Sequence, residues 1–185
     1  MDNIQIKVAF IAVFEKKNLD SLIPVLKNLK IKVLGTEGTV KYLKSKGVVA
    51  KSVVSGFDFD GRVKSLDRKN FAAILADSSK KEHLTQLSKM GIKPIDAVIV
   101  DLYKPNKKGF PESMDIGGQA LIRAAVKNFK NVAVAFDKKS IEDLGWELKT
   151  NKGGTNLLFR KKQAGKALRF IAQRALFEVR LFGKG

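Results

Sequence analysis

The sequence contains no cysteine among its 185 residues, which excludes disulfide bonds and thiolate metal sites. No apolar run reaches the roughly 18 residues that a membrane-spanning helix needs. The N-terminal residues include Asp2 and alternate apolar with polar positions, which is unlike a signal peptide, so we expect a cytoplasmic protein. The single histidine, His83, lies among polar residues. No spacing of histidines or carboxylates indicates a metal site.

Acidic residues are few compared with basic ones. The chain has 18 Asp and Glu against 36 Lys and Arg, so its formal net charge is +18. Such a charge favours anionic partners, among them phosphorylated metabolites, nucleic acids and acidic membrane surfaces. The lysines are spread along the chain, however, and aromatic residues rarely alternate with them as a base-stacking surface requires. A nucleic-acid-binding protein is therefore an alternative supported by charge alone.

Hydrophobic residues make up 44% of the chain, which is enough for an ordinary core. Short apolar runs alternate with helical stripes. Strands are predicted over residues 4–13, 31–34, 48–54, 95–100 and 132–136. Helices are predicted from residue 18 or 20 to 29 and over residues 40–46, 80–90, 119–128 and 140–148, and residues 71–76 fit either type. Because the strand–helix unit repeats, we predict an α/β fold with a three-layer open parallel sheet and helices on both faces.

The C-terminal part is predicted to be a separate extension. We expect one domain over residues 1–148, followed by a linker and a helix within residues 149–185. The Gly153-Gly154 pair is typical of a flexible connection over residues 149–156. From Leu157 to Phe182 apolar residues recur at helical spacing, with Lys and Arg on the other face. A basic amphipathic helix of this kind can bind a membrane surface, although packing on the domain or across a dimer is more common.

Four polar motifs fall where strands are predicted to end, which is where an open parallel sheet binds its ligands. Gly35-Thr36-Glu37-Gly38-Thr39 opens a helix and suits an anion. Gly61-Arg62-Val63-Lys64-Ser65-Leu66 brings together two cations and a hydroxyl. Asp101-Leu102-Tyr103 supplies a carboxylate and a phenol. Asp115-Ile116-Gly117-Gly118 ends in a glycine pair that lets backbone approach a ligand. Each motif also fits a turn or a cap, but together they favour a nucleotide-like ligand.

These motifs, with Lys16 before them and Arg123-Ala124-Ala125-Val126-Lys127-Asn128 after them, resemble IMP cyclohydrolase. That enzyme is one half of a bifunctional purine-biosynthesis protein, and AICAR transformylase is the other half. The resemblance covers about residues 7–144 and continues weakly to Phe182. It implies a methylglyoxal-synthase-like fold and a homodimer. The implied reaction closes formamido-imidazole-carboxamide ribonucleotide (FAICAR) to IMP, with loss of water and without a cofactor or metal. AICAR transformylase would be a separate partner.

The resemblance also implies catalytic residues by matching position. Asp115 would orient or deprotonate the carboxamide of FAICAR. Tyr103 and Lys127 would stabilise the oxyanion that forms on the formyl group, and Lys64 would polarise the carboxamide oxygen.

Binding roles are implied in the same way. The residues that would hold phosphate and ribose are Lys16, Thr36, Gly38, Thr39, Arg62 and Ser65. Backbone at Ile116 and Gly117 would contact the base, and Asp101 stands where the family usually has a base-contacting Asn.

The sequence departs from the family pattern in the phosphate-binding region. Ala12-Val13-Phe14-Glu15-Lys16 stands where a Ser-x-Ser-Asp-Lys run is usual, so two hydroxyls are replaced and Phe14 is introduced. Glu37 stands where a Gly is usual. The four catalytic candidates are nevertheless present. Two functions therefore fit the resemblance: an active cyclohydrolase, or a purine-nucleotide-binding regulatory module of the same fold without turnover.

Overall fold

The computed structural model describes residues 2–53 and 65–183. In these residues a five-stranded parallel sheet forms the centre of the fold. Its strands are β2 (Val8–Val13), β3 (Lys32–Gly35), β4 (Ala50–Ser52), β5 (Ala97–Asp101) and β6 (Ala133–Ala135). The order across the sheet is β4–β3–β2–β5–β6, and every pairing is parallel. The central strand β2 is almost continuously apolar and buried, as expected of a strand covered on both faces.

Seven α-helices are present in the described residues. They are α1 (Ile23–Asn28), α2 (Glu37–Ser45), α3 (Arg68–Leu75), α4 (Lys81–Lys89), α5 (Ile116–Lys127), α6 (Lys138–Thr150) and α7 (Leu157–Phe182). A 3-10 turn over Lys16–Leu19 precedes α1. The helix predicted from residue 18 or 20 is therefore two elements, because Pro24 occupies the first turn of α1, where its missing N–H costs nothing. The ambiguous residues 71–76 begin inside α3, which the Asp67 side chain caps.

Alternation along β2 divides the core into two apolar layers. Ala9, Ile11 and Val13 pack in one layer with residues of α1, α2 and α6. Val8 and Phe10 pack in the other with residues of α3, α5 and α7. Because successive side chains of a strand point to opposite faces, one central strand supports both helical layers. The predicted fold class, a parallel sheet with helices on both faces, is confirmed.

A small second sheet joins the N-terminal residues to the segment just before α7. Strand β1 (Asn3–Gln5) pairs antiparallel with β7 (Gly154–Asn156). Residues 149–156, predicted as a flexible connection, instead contain the end of α6, a turn with Gly153 at φ 88° and β7. The predicted strand over residues 4–13 is likewise divided into β1 and β2. The division of the chain at residue 148 stays a prediction. None of the described helices has both the length and the hydropathy of a membrane span.

The first turn of α7 is fixed by a buried arginine. Arg160 is 0% exposed. Its Nε donates to the carbonyl of Phe129 at 3.0 Å and its Nη2 to that of Lys130 at 3.0 Å, while Nη1 donates to the carbonyl of Thr155. The guanidinium therefore ties α7 to the turn after α5 and to β7.

We expect Arg160→Met to lower the free energy of unfolding by about 3 kcal/mol, because three backbone carbonyls lose a charged donor that is itself fully buried. Urea denaturation followed by circular dichroism measures this loss. Lys161→Met, at the exposed neighbouring position, is the control and is expected to change stability by less than about 0.5 kcal/mol. Equal stability of the Arg160 variant and the wild type would contradict the structural role.

Candidate functional site

A cleft of about 1150 Å³ opens at the carboxyl ends of β2, β3 and β5. Its wall includes the residues after β2, the start of α2, the end of β5, and the segment that leads into α5. The predicted site residues that line it are Lys16, Thr36, Gly38, Ser65, Asp101, Tyr103, Asp115, Ile116 and Gly117. The predicted residues Arg62 and Lys64 lie outside the described residues. The fold therefore gathers most of the described candidates at one place.

Lys127 is not brought to this cleft in the single chain. It is the last residue of α5, whose first residue is Ile116. Eleven residues of helix separate the two positions by about 16 Å along the axis. The side chain of Lys127 is exposed. The predicted catalytic role of Lys127 is therefore not supported by the geometry of one copy of the chain.

Thr39 lies beneath the cleft rather than in its wall. It is 0% exposed. Its hydroxyl accepts from the Val13 N–H at 3.2 Å and from the Thr36 hydroxyl at 3.2 Å, and donates to the Val13 carbonyl at 3.3 Å. The predicted contact of Thr39 with phosphate is therefore replaced by a structural role that joins α2 to the end of β2.

Asp101 is also engaged within the chain. It is 8% exposed. Its carboxylate accepts from the N–H of Phe14, from the N–H of Glu15 at 3.3 Å, and from the Asn18 amide at 2.8 Å. Both carboxylate oxygens accept hydrogen bonds. An Asn side chain at this position would place its N–H₂ group opposite one of these donors, so that hydrogen bond would be lost. Asp101 fixes the loop after β2, and its predicted contact with the base competes with these bonds.

Lys16 supplies a cation to the wall of the cleft. Its Nζ donates to the carbonyls of Val13 and of Phe14, the latter at 3.1 Å. Burial lowers the pKa of Lys16, while the nearby carboxylates of Asp101 and Glu15 oppose that shift. An ammonium has three hydrogens, so two carbonyls leave one donor for an anionic ligand.

The N-terminus of α2 faces the same cleft through Glu37 and Gly38. Thr36 is its N-cap, yet within residues 2–53 and 65–183 its side chain makes no capping bond to the first turn. The first N–H groups of a helix have no partner inside the helix and carry a partial positive charge. This helix end therefore adds to the attraction of Lys16 for an anion.

Asp115 stands at the N-terminus of α5. Its Oδ1 accepts from the N–H of Gly118 at 2.7 Å. Burial raises the pKa of Asp115, and the Gly118 N–H and the Arg174 guanidinium oppose that rise. A Cβ at position 118 would lie 2.4 Å from Leu102 Cδ2 and 2.7 Å from Asp115 Oδ1. The glycine thus provides the space in which the carboxylate is held.

Tyr103 lies on the same side of the cleft. Its hydroxyl donates to the carbonyl of Met114 at 2.9 Å. Burial, and then the charge of Asp115, raise the pKa of Tyr103 above its ordinary value, so the phenol remains protonated at neutral pH. The ring centroid of Phe14 lies 5.9 Å from that of Tyr103, with the planes tilted by 55°.

The C-terminal half of α7 supports this wall. Packing of this helix on the domain was one of the alternatives that the sequence left open, but its contact with the site was not anticipated. Arg174 Nη2 donates to the carbonyl of Leu102 at 3.4 Å. Glu178 accepts from the Gln119 amide at 3.0 Å. The ring of Phe182 packs edge-to-face on Phe110, with the centroids 4.6 Å apart. The contacting residues of α7 recur every four positions. This spacing is visible in the sequence, but the sequence does not show which residues they contact.

We expect Arg174→Gln to move the acid limb of the activity profile to higher pH. Activity that needs the Asp115 carboxylate falls as the pH drops through its pKa, and Arg174 lowers that pKa. The measurement is kcat/KM against pH for the conversion of FAICAR to IMP that the sequence resemblance implies. Arg180→Gln, at an exposed position of the same helix, is the matched control. An acid limb that stays in place or moves to lower pH would contradict the role of Arg174.

Comparison with known proteins identifies the fold family. Residues 18–130 match the MGS-like domain.

The chain belongs to the MGS-like domain family.

Curated relatives carry a common name. The chain is 40% identical over 179 residues to the "Bifunctional purine biosynthesis protein PurH" of Clostridium botulinum (strain Loch Maree / Type A3), an alignment covering 90% of the chain and 36% of that protein. The protein of the same name from Clostridium kluyveri is 39% identical over 176 residues, covering 89% of the chain and 35% of that protein. The chain therefore spans about a third of the length of these relatives.

A solved structure shows the same architecture as this member of the MGS-like family. The crystal structure of ForH matches with a TM-score of 0.82 at 29% sequence identity, covering 95% of the chain and 96% of ForH. The match therefore extends over nearly the whole chain. Within the described residues, no group of three or more His, Asp or Glu side chains could hold a metal ion.

Proposed function

We propose that the chain is an IMP cyclohydrolase, which closes the second ring of FAICAR and releases water. The observation that carries this proposal is that Asp115 and Tyr103 share one cleft with Lys16 and the N-terminus of α2. A cation and a helix N-terminus suit the phosphate of a nucleotide. A carboxylate and a protonated phenol suit the ring closure. The similarity to proteins named "Bifunctional purine biosynthesis protein PurH" supports a reaction of purine biosynthesis.

In the proposed reaction the carboxamide nitrogen of FAICAR attacks the formyl carbon. Asp115 takes a proton from that nitrogen. Burial raises the pKa of Asp115, and a carboxylate with a raised pKa is a stronger base. Tyr103 exchanges the Met114 carbonyl for the formyl oxygen and donates to the oxyanion that develops. The bond from carbon to the former formyl oxygen then breaks while the former formamide nitrogen forms a C=N bond to that carbon. The oxygen leaves as water with two protons, one returned by Asp115 and one lost from the formamide nitrogen, and IMP remains. Lys64 keeps its proposed contact with the carboxamide oxygen.

Binding is proposed to use the opposite part of the cleft. Lys16, Thr36 and Gly38 would hold the phosphate, together with Arg62 and Ser65. Gly117 lies so close to Ser65 that a Cβ would approach its Oγ to 2.3 Å. The missing side chain of Gly117 therefore makes room for Ser65. The backbone at Ile116 and Gly117 keeps its proposed contact with the base.

The test is to add FAICAR to the purified protein and follow IMP formation by absorbance. We expect saturable turnover without added cofactor or metal, and unchanged turnover after treatment with a chelator. IMP binding measured on the same preparation separates the alternatives. Binding without turnover would replace the enzyme by the regulatory module, and binding of neither nucleotide would contradict the proposal.

The regulatory module is a second candidate because two predicted residues are not available to a ligand as expected. Lys127 lies away from the cleft, and Asp101 is engaged with the loop after β2. A homodimer, a separate AICAR transformylase and a cytoplasmic location also remain proposals. The nucleic-acid alternative rests on the charge of +18. It predicts tight binding to nucleic acid that weakens steeply with salt, in the absence of turnover.

A further inference from the structure

A large aromatic side chain is exposed inside the proposed nucleotide cleft. Phe14 lines the cleft and is 67% exposed. Phe10, four residues earlier and within β2, is 1% exposed and belongs to the core. The ring of Phe14 therefore presents apolar area to the cleft rather than to the core.

The backbone on both sides of the Phe14 ring is fixed. The Phe14 N–H donates to the carboxylate of Asp101, and the Phe14 carbonyl accepts from Lys16 Nζ at 3.1 Å. The Asp101 carboxylate is itself buried and is held by Asn18. Asp101 and Phe14, both departures from the pattern of IMP cyclohydrolases, thus act together: the carboxylate holds the residue that carries the ring.

Tyr103 gives the Phe14 ring an aromatic neighbour. A centroid separation of 5.9 Å and a tilt of 55° lie in the range where two rings attract each other. The contact with Tyr103 restricts the orientation of the Phe14 ring but leaves most of the ring exposed. The phenol that we place at the formyl oxygen and the exposed ring therefore stand side by side in the cleft.

We propose that Phe14 is the stacking surface for the heterocyclic base of the ligand and a specificity determinant of the cleft. This inference rests on the proposed function, because it takes the ligand to be a nucleotide. A flat ring covers a planar heterocycle by its face, and such stacking contributes substantially to the binding of each base. A benzyl side chain offers no hydrogen bond to a phosphate or a ribose. The ring thus selects ligands with a heteroaromatic base over simple sugar phosphates.

The test compares two ligands that differ in the base. Calorimetric titration gives the Kd of IMP and the Kd of ribose 5-phosphate for the wild type, Phe14→Ala and Phe14→Trp. We expect Phe14→Ala to weaken IMP binding by roughly ten-fold or more and to change ribose 5-phosphate binding by less than about three-fold. Phe14→Trp keeps a flat ring and is expected to bind IMP within about three-fold of the wild type. Phe177→Ala, an exposed phenylalanine of α7, is the matched control and should leave both Kd values unchanged.

Several results would overturn the stacking role. Equal weakening of both ligands by Phe14→Ala would show that the ring only maintains the shape of the loop. Unchanged IMP binding would show that the base lies elsewhere, and so would equal affinity of the wild type for the two ligands. Thermal unfolding of each variant confirms that the compared proteins are folded.

The same measurements distinguish failure of the proposed cyclohydrolase activity from failure of the stacking role. Base-dependent binding of IMP that is lost in Phe14→Ala, without turnover of FAICAR, would support stacking and contradict the cyclohydrolase. Turnover of FAICAR with the same KM in the wild type and in Phe14→Ala would support the cyclohydrolase and contradict stacking.

Discussion

Asp115→Asn is expected to lower kcat for IMP formation by about 100-fold to 10,000-fold, the range typical of a lost general base. The substitution removes the charge and the proton acceptor. It retains an oxygen that can accept from the Gly118 N–H, as Asp115 does at 2.7 Å. The N-terminus of α5 therefore stays capped, and the fold and IMP binding should change little. Turnover of FAICAR and the Kd of IMP, measured on the same preparation, test this expectation.

Asp137→Asn is the matched control for Asp115→Asn. Asp137 caps α6 by accepting from the Ser140 N–H at 2.7 Å. It does not line the cleft described above. We expect turnover within about two-fold of the wild type. If Asp115→Asn kept normal turnover, or if both variants lost it equally, Asp115 would have no chemical role.

Gly35→Ala is expected to destabilise the protein by about 3 kcal/mol or more, because the added methyl group overpacks the central sheet. Gly35 pairs with Ile11 between β3 and β2. A Cβ at position 35 would lie 2.1 Å from the Ile11 carbonyl oxygen. Since that oxygen belongs to the backbone of a buried strand, the clash is relieved only by moving the strand. Such movement would also displace the start of α2, which faces the cleft.

Gly165→Ala is the matched control for Gly35→Ala. Gly165 lies within α7, and a Cβ there would meet nothing within 4 Å. Alanine has a higher helix propensity than glycine, so we expect the free energy of unfolding to rise by about 1 kcal/mol. Urea unfolding of both variants gives two changes of opposite sign. A Gly35→Ala protein as stable as the wild type would contradict the close packing of β2 on β3.

The fold was predictable because strands and helices have different hydrophobic patterns. The buried parallel strands are continuous apolar runs, whereas apolar residues recur every three or four positions in the helices. Val98 and Ile99, for example, belong to an uninterrupted buried run, which is typical of a parallel strand. Boundaries were less predictable. β7 contains Gly154, which suits a turn, and it exists because tertiary pairing with β1 outweighs local preference.

The site was partly predictable because motifs at strand ends meet at one edge of a parallel sheet. Tyr103 and Asp115 illustrate this, since both line the cleft. The burial of Thr39 and the bonds of Asp101 were not predictable, because a sequence does not show which polar group finds a partner within the chain. Arg174 was missed for the same reason: it reaches Leu102 from 72 residues away.

We propose that the cleft binds a purine nucleotide with its ring beside Asp115 and Tyr103. A crystal structure of the protein with IMP tests this claim most directly. We predict phosphate at Lys16 and the start of α2, and the hypoxanthine ring against Phe14 within hydrogen-bond reach of the Asp115 carboxylate. IMP bound outside this cleft, or bound in it with its base away from Asp115, would contradict the account.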